Sequence, residues 1–133
     1  MKIKNIKIVN FNKTIENASI EFENGFITKI TETKGISKYI LIPGFIDSHI
    51  HGFYGHDVMD SKDAISNITL EIAKQGTTSY YPTGITGPID KMTSFISNVY
   101  DLQNKNIYGS RILGSHMEGP FISLFKKGAH NPK

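Results

Sequence analysis

Residues 43–52 read PGFIDSHIHG and set Asp47, His49 and His51 at every second position among apolar and small neighbours. The chain holds five histidines, so two of them one residue apart in such a setting carry chemical weight. In an extended strand, side chains two residues apart leave from one face, with their Cα atoms roughly 7 Å apart. Two imidazoles presented together can converge on one metal ion, and a carboxylate can complete a hydrolytic site. Glu118, in HMEG (residues 116–119), is the candidate carboxylate, and His130 stands in the nearby GAHNPK. By the same alternation Asp47 falls on the face of the two histidines, one step deeper.

Each of these residues taken singly also has an ordinary structural reading. A strand histidine can be a hydrogen-bonded rim residue, Asp47 a cap, Glu118 a residue before the Gly119-Pro120 turn, and His130 a loop residue. Met117, Tyr80 and Tyr81 read as packing residues. Taken together they fit that reading less well. Four of the five histidines fall in these strand-end and loop segments, and His56 follows the first of them closely.

Positioning such a cluster requires particular elements. KIKNIKIVN, near the start, alternates and reads as a strand. ASIEFENGFITKITE alternates on both sides of Asn24-Gly25, the dipeptide that supplies two φ > 0 residues for a type I′ hairpin turn. KYILIPGFIDSHIH is nearly continuously apolar, which predicts a strand buried on both faces from about Phe45. Beyond it the pattern becomes strand and helix in turn. Residues 61–76 have Ser61 as N-cap, Gly76 as C′ residue and Ala64, Ile65, Ile68, Ile72 and Ala73 at helical spacing. TTSYYPT reads as a strand. A second helix follows, with Ile89, Met92, Phe95, Ile96, Val99 and Leu102 on one face. RILGSHMEGPF reads as a third strand, over residues 111–118.

The order β-α-β-α-β predicts an α/β fold with neighbouring parallel strands at residues 45–51, 77–82 and 111–118, in an open doubly wound sheet or a (β/α)₈ barrel. In either architecture the chemistry belongs at the C-terminal strand ends, where His49, His51 and Glu118 stand. Residues 1–42 are expected to form a small antiparallel β unit and residues 43–133 the strand-helix unit.

Composition narrows the function. The 133 residues are 38% hydrophobic with a formal net charge of +3, and no basic run exceeds two residues. Nucleic-acid or anionic-membrane binding therefore has little support. There are no cysteines, which excludes disulfides and thiolate metal sites and fits a reducing compartment. The N-terminus lacks a signal-peptide core, and no segment approaches the ~20 apolar residues of a membrane helix. The expectation is a cytoplasmic protein.

IPGFIDSHIHG resembles the first-strand signature of the amidohydrolase superfamily, whose His-x-His pair binds a divalent metal. GTTSYYPTGIT, HMEGPFIS and KKGAHNP together resemble, within it, the N-acetylglucosamine-6-phosphate deacetylases. The last two motifs are far more specific than His-x-His, and the resemblance spans essentially the whole chain. It implies the N-terminal part of a (β/α)₈ metal-dependent hydrolase barrel, preceded by a portion of a small antiparallel β-sandwich. Glu118 matches the metal-binding glutamate of that family. His49 and His51 match the pair that holds a second metal in members having it, so one or two ions of Zn²⁺ or Fe²⁺ are implied. Ala129 and His130 match the segment that contacts the sugar-phosphate substrate. The implied reaction is hydrolysis of the N-acetyl amide to glucosamine 6-phosphate and acetate, by an enzyme that is a homodimer when full length.

The departure from the family is one of length. A (β/α)₈ barrel takes about 250 residues, and three of its eight strands can be placed here. Family members continue with two further metal-binding histidines and an aspartate that serves as general acid/base. No catalytic residue is assigned before Lys133, and the 133-residue chain by itself is expected to be inactive. A second reading follows from that gap: a non-catalytic fragment, remnant or association module with an open sheet edge. A third, an amidohydrolase acting on a cyclic amide, lacks an explanation for HMEGPF together with KKGAHNP.

Overall fold

The computed structural model describes residues 1–105 and 107–131. Pro132, the last residue of KKGAHNP, and Lys133 lie outside the described residues. The chain divides into two units, Met1–Pro43 and Gly44–Lys133.

The first unit is one four-stranded sheet. Strands β1 (Lys2–Val9), β2 (Thr14–Glu23), β3 (Phe26–Glu32) and β4 (Tyr39–Leu41) lie in the order β3-β2-β1-β4. Asn24 and Gly25, at φ 50° and 80°, make the two-residue turn between β2 and β3 as expected. Ile6, Ala18 and Ile20 form a small buried core flanked by Ile8, Ile15, Phe22 and Leu41. The four strands make a single sheet, the only layer of this unit among the described residues. One expectation is corrected: two of the three pairings are antiparallel, but β4 pairs parallel to β1. The register gives the reason for the parallel pairing. Glu32 lies opposite Ala18, Ala18 opposite Ile6, and Ile6 opposite Tyr39. The chain therefore leaves β3 and enters β4 at one level, crossing sideways and continuing in the same direction. Buried Asn17 anchors the crossing, donating to Ser37 Oγ at 3.0 Å and accepting from Thr33 Oγ1 at 2.5 Å.

The second unit alternates strand and helix. In chain order it contains β5 (Phe45–Ile50), a small hairpin of β6 (Gly52–Phe53) and β7 (His56–Asp57), α1 (Lys62–Ala73), β8 (Thr77–Ile85), α2 (Ile89–Gln103), β9 (Arg111–Ile112) and β10 (His116–Glu118). A 3₁₀ turn at Leu124–Lys126 follows. The sheet order is β10-β8-β5, β9 also pairs with β8, and every pairing in it is parallel. The sheet is open, with no barrel closure among the described residues.

Ser61 caps α1 as expected, its Oγ accepting from Ala64 N–H at 3.0 Å. Gly76, at φ +88°, stands two residues beyond the C-cap Lys74, one further than expected. Both helices press their apolar faces on one side of the sheet, around Ile65, Ile68, Tyr80, Phe95, Val99 and Ile112. Ile89 and Ile96 are exposed, so the buried face of α2 is the narrower stripe Met92, Phe95, Val99 and Leu102. The prediction that the Phe45 strand is buried on both faces fails: Phe45 and Ile46 are 59% and 67% exposed. Among the described residues β5 pairs with β8 alone and lies at the edge of the sheet, so its outer side has no neighbour to cover it.

Within this core Thr69 Oγ1 donates to Ile65 O at 2.8 Å, so its lone pair accepts from Tyr80 Oη at 2.7 Å. Burial pushes the Tyr80 phenol from 10.0 up to about 12. The neutral phenol is the form the fold favours. Its contribution to stability is intact below pH 10 and is lost as pH rises from 10 through about 12. Denaturant unfolding across that window should show a loss of stability with pH that Tyr80→Phe flattens. An identical slope in the variant would show that Tyr80 is not its source.

Candidate metal centre

The site is built on the C-terminal ends of β5, β8 and β10, and two register slips decide which side chains reach it. The pairing of β8 with β9 runs Ser79–Arg111 and Tyr80–Ile112, whereas that with β10 runs Thr83–His116 and Ile85–Glu118. One extra residue is therefore accommodated between Ile112 and His116, opposite Pro82, which has no N–H for the ladder. This is why the expected continuous strand at 111–118 appears as two. Strict alternation would put Glu118 on the face of Ile112, among the helices. The extra residue turns Met117 towards the helix-side core and His116 and Glu118 away from it. A second slip separates Asp47, opposite Tyr80, from Ile50, opposite Pro82. Past it Ile50 packs on the core, while His49 and His51 leave from the other face.

His49, His51 and Glu118 come together, with ligand atoms all within 4.8 Å of one another. The two Nε2 atoms lie 3.1 Å apart, and each is 3.2 Å from Glu118 Oε2. His51 Nδ1 lies 2.8 Å from the Thr83 carbonyl oxygen and must donate its proton there. In the neutral imidazole its Nε2 then carries a lone pair. That lone pair faces a carboxylate oxygen and a second imidazole nitrogen, and one proton on His49 Nε2 can serve only one of these close pairs. A cation among the three groups is favourable with all of them, so the donor set fits a divalent metal.

His130 reaches the site from the loop after the 3₁₀ turn and donates Nε2–H to Glu118 Oε1 at 3.0 Å. This hydrogen bond is the main reason the Glu118 carboxyl is held below its ordinary 4.5. Partial burial opposes it, and charge on His130, His49 and His51 adds to it. Lys127 Nζ braces the loop by donating to His130 O at 2.9 Å. His130 Nδ1 is buried and has no hydrogen-bond partner among the described residues. His51, Ile85, Glu118, Ile122 and residues 126–130 line a cleft of about 490 Å³.

Ala129 thus lines the cleft beside the cluster, and His130 does so while touching Glu118. Asp47 is not brought in; its Oδ1 accepts from the His49 backbone N–H at 3.0 Å. The register slip breaks the even-odd count by which it was placed with the histidines. His56 lies in the β6–β7 hairpin, outside the cluster. Sequence reading assigns no role to Thr83 or His116, yet Thr83 Oγ1 lies 3.2 Å from His116 Nδ1, and the His116 and His49 ring centroids are 5.0 Å apart. Only the central position of β8 reveals that connection.

Residues 40–131 match the sequence profile of the amidohydrolase family. The chain is 34% identical over 117 residues to the N-acetylglucosamine-6-phosphate deacetylase of Vibrio furnissii, covering 81% of this chain and 29% of that protein. It is likewise 34% identical over 95 residues to the N-acetylgalactosamine-6-phosphate deacetylase of Escherichia coli O157:H7, covering 71% of this chain and 25% of that one. The crystal structure of N-acetylglucosamine-6-phosphate deacetylase from Thermotoga maritima superimposes with a TM-score of 0.86 at 33% identity, over 98% of this chain and 35% of that chain. The chain spans between a quarter and just over a third of the length of these relatives.

Proposed function

We propose, from the premise that this chain belongs to the amidohydrolase family, that in a full-length enzyme it supplies one wall of a metal-dependent site hydrolysing the N-acetyl amide of N-acetylglucosamine 6-phosphate. The observation that carries the reading is the convergence of His49, His51 and Glu118 at the strand ends, beside a cleft floored by the 126–130 loop. These three residues would hold the cation; imidazole with carboxylate suits either Zn²⁺ or Fe²⁺. When bound, a divalent cation would polarise an amide carbonyl and lower the pKa of its bound water towards ~7.

The chain's own residues prepare that site. The Thr83 carbonyl keeps His51 in the Nδ1–H tautomer, and His130 orients the Glu118 carboxylate through Oε1. Ala129 and His130 shape the cleft where the sugar phosphate would lie, with Lys126 and Lys127 adding positive charge along its edge. The general acid/base aspartate belongs to the remainder of the barrel, and such a group typically contributes ~10²–10⁴-fold. The reading extends to a cytoplasmic homodimer when full length, which sedimentation of the full-length protein tests.

The similarity to an N-acetylgalactosamine-6-phosphate deacetylase supports a second substrate, the epimer of the first. Acetate release from both sugar phosphates, with added Zn²⁺ or Fe²⁺, tests the proposal. A full-length enzyme should turn over one or both, lose activity to a chelator, and leave cyclic amides untouched. The 133-residue chain alone should show no sustained turnover. Turnover of cyclic amides in preference to N-acetyl sugar phosphates would overturn the assignment.

A further inference from the structure

We propose that Thr83 is a positioning residue of this centre, one that sets the tautomers of two histidines and seats the strand between the two histidine ligands; this rests on the metal-site reading above. Thr83 is fully buried in the central strand β8, between the two strands that carry the cluster. Its backbone oxygen accepts from His51 Nδ1 at 2.8 Å. Its hydroxyl oxygen accepts from the N–H of Ile50, the residue between His49 and His51, at 3.2 Å. The same oxygen lies 3.2 Å from both Tyr81 O and His116 Nδ1.

A hydroxyl has one proton to give and two lone pairs to offer. Tyr81 O can only accept, and the Ile50 N–H can only donate. With the hydroxyl proton on Tyr81 O, His116 must donate Nδ1–H to Thr83. His116 then holds the same tautomer as His51, with a lone pair on Nε2. One residue thus determines how two imidazoles present themselves, one of them a ligand and the other packed edge-on against the ligand His49 at 5.0 Å between ring centroids. Supporting partners of this kind, when removed, typically cost ~10–100-fold in metal affinity.

Valine keeps the shape of threonine and removes the hydroxyl, whereas serine keeps the hydroxyl. In the full-length protein freed of metal, ¹⁵N resonances of His51 and His116 should report Nδ1–H tautomers for the parent and Thr83→Ser. Thr83→Val should shift His116 to mixed tautomers and move the His51 signals. Co²⁺ titrated against a competing chelator should bind ~10–100-fold more weakly to Thr83→Val, with altered visible absorption, and near the parental affinity to Thr83→Ser. If Thr83→Val does not fold, Thr83→Ala carries the same test without the branched bulk. Parental tautomers and parental Co²⁺ binding in a folded variant without the hydroxyl would overturn the proposal. Tautomers that respond as expected in a protein that binds no Co²⁺ would uphold the role of Thr83 and defeat the metal-site reading alone.

Discussion

Glu118→Ala in a full-length enzyme should reduce metal-dependent acetate release to background and weaken metal binding by more than the ~10–100-fold that loss of a supporting partner produces. Glu118 is the group that joins the cluster: its Oε2 lies 3.2 Å from the Nε2 of both His49 and His51, and Oε1 takes the His130 hydrogen bond. Alanine would leave two imidazole lone pairs and a loop histidine with nothing anionic between them. Glu118→Gln separates charge from shape, because it fills the same volume but is a poorer partner for a cation; it should resemble alanine in metal affinity while keeping the strand end packed. His49→Ala, which leaves His51 and Glu118 in place, should fall between these variants and the parent. Chelator competition together with the acetate assay reads both effects. Parental metal affinity in Glu118→Ala would show that the centre is organised around other residues.

Phe95→Ala should destabilise the strand-helix unit by about 3–5 kcal/mol, a large part of the ~5–15 kcal/mol that holds a domain folded. Phe95 is 1% exposed and packs with Tyr80, Val99 and Ile112 between α2 and the sheet. Its ring lies so close to β8 that a Cβ added at Gly84 would meet two of its carbons at 2.8 Å and Met117 Sδ at 3.0 Å. Glycine at 84 is therefore a packing requirement, and removing the ring opens a cavity directly under the strand that carries Thr83. The expected fall in melting temperature is on the order of 10–20 °C. Ile96→Ala, one residue along but on the 44% exposed flank of α2, should cost under about 1 kcal/mol. Equal losses at the two positions would refute the asymmetry of this helix face.

Much of this arrangement was legible in local chemistry. Asn24-Gly25 can take two positive φ values cheaply, so the first hairpin could be read directly. Ser61 before a run of isoleucines at helical spacing marked α1, and the 3.6-residue period marked the buried part of α2. The period-2 spacing of His49 and His51 was sufficient to expect both imidazoles on one face, where they meet at 3.1 Å. The second hairpin was missed, since its turn uses Tyr54 at φ 55°, a residue with no turn signature of its own.

What the sequence by itself determined were the features that depend on neighbours along the chain: turns, caps, helical faces and the identity of His49, His51 and Glu118 as candidates. What only the tertiary structure decided were the features that depend on neighbours across the sheet. Whether Glu118 joined the histidines or the helix core turned on one extra residue opposite Pro82, and Asp47 was separated from the cluster by a similar slip. The exposure of Phe45 and Ile46 followed from their place on an edge strand, which an apolar run cannot announce. The role assigned to Thr83 arises because β8 lies between β5 and β10, bringing together hydrogen-bonding groups 32 and 33 positions apart in sequence. Register and strand order are set by the summed packing of distant segments, and a side chain's partner across a sheet cannot be read from the residues beside it.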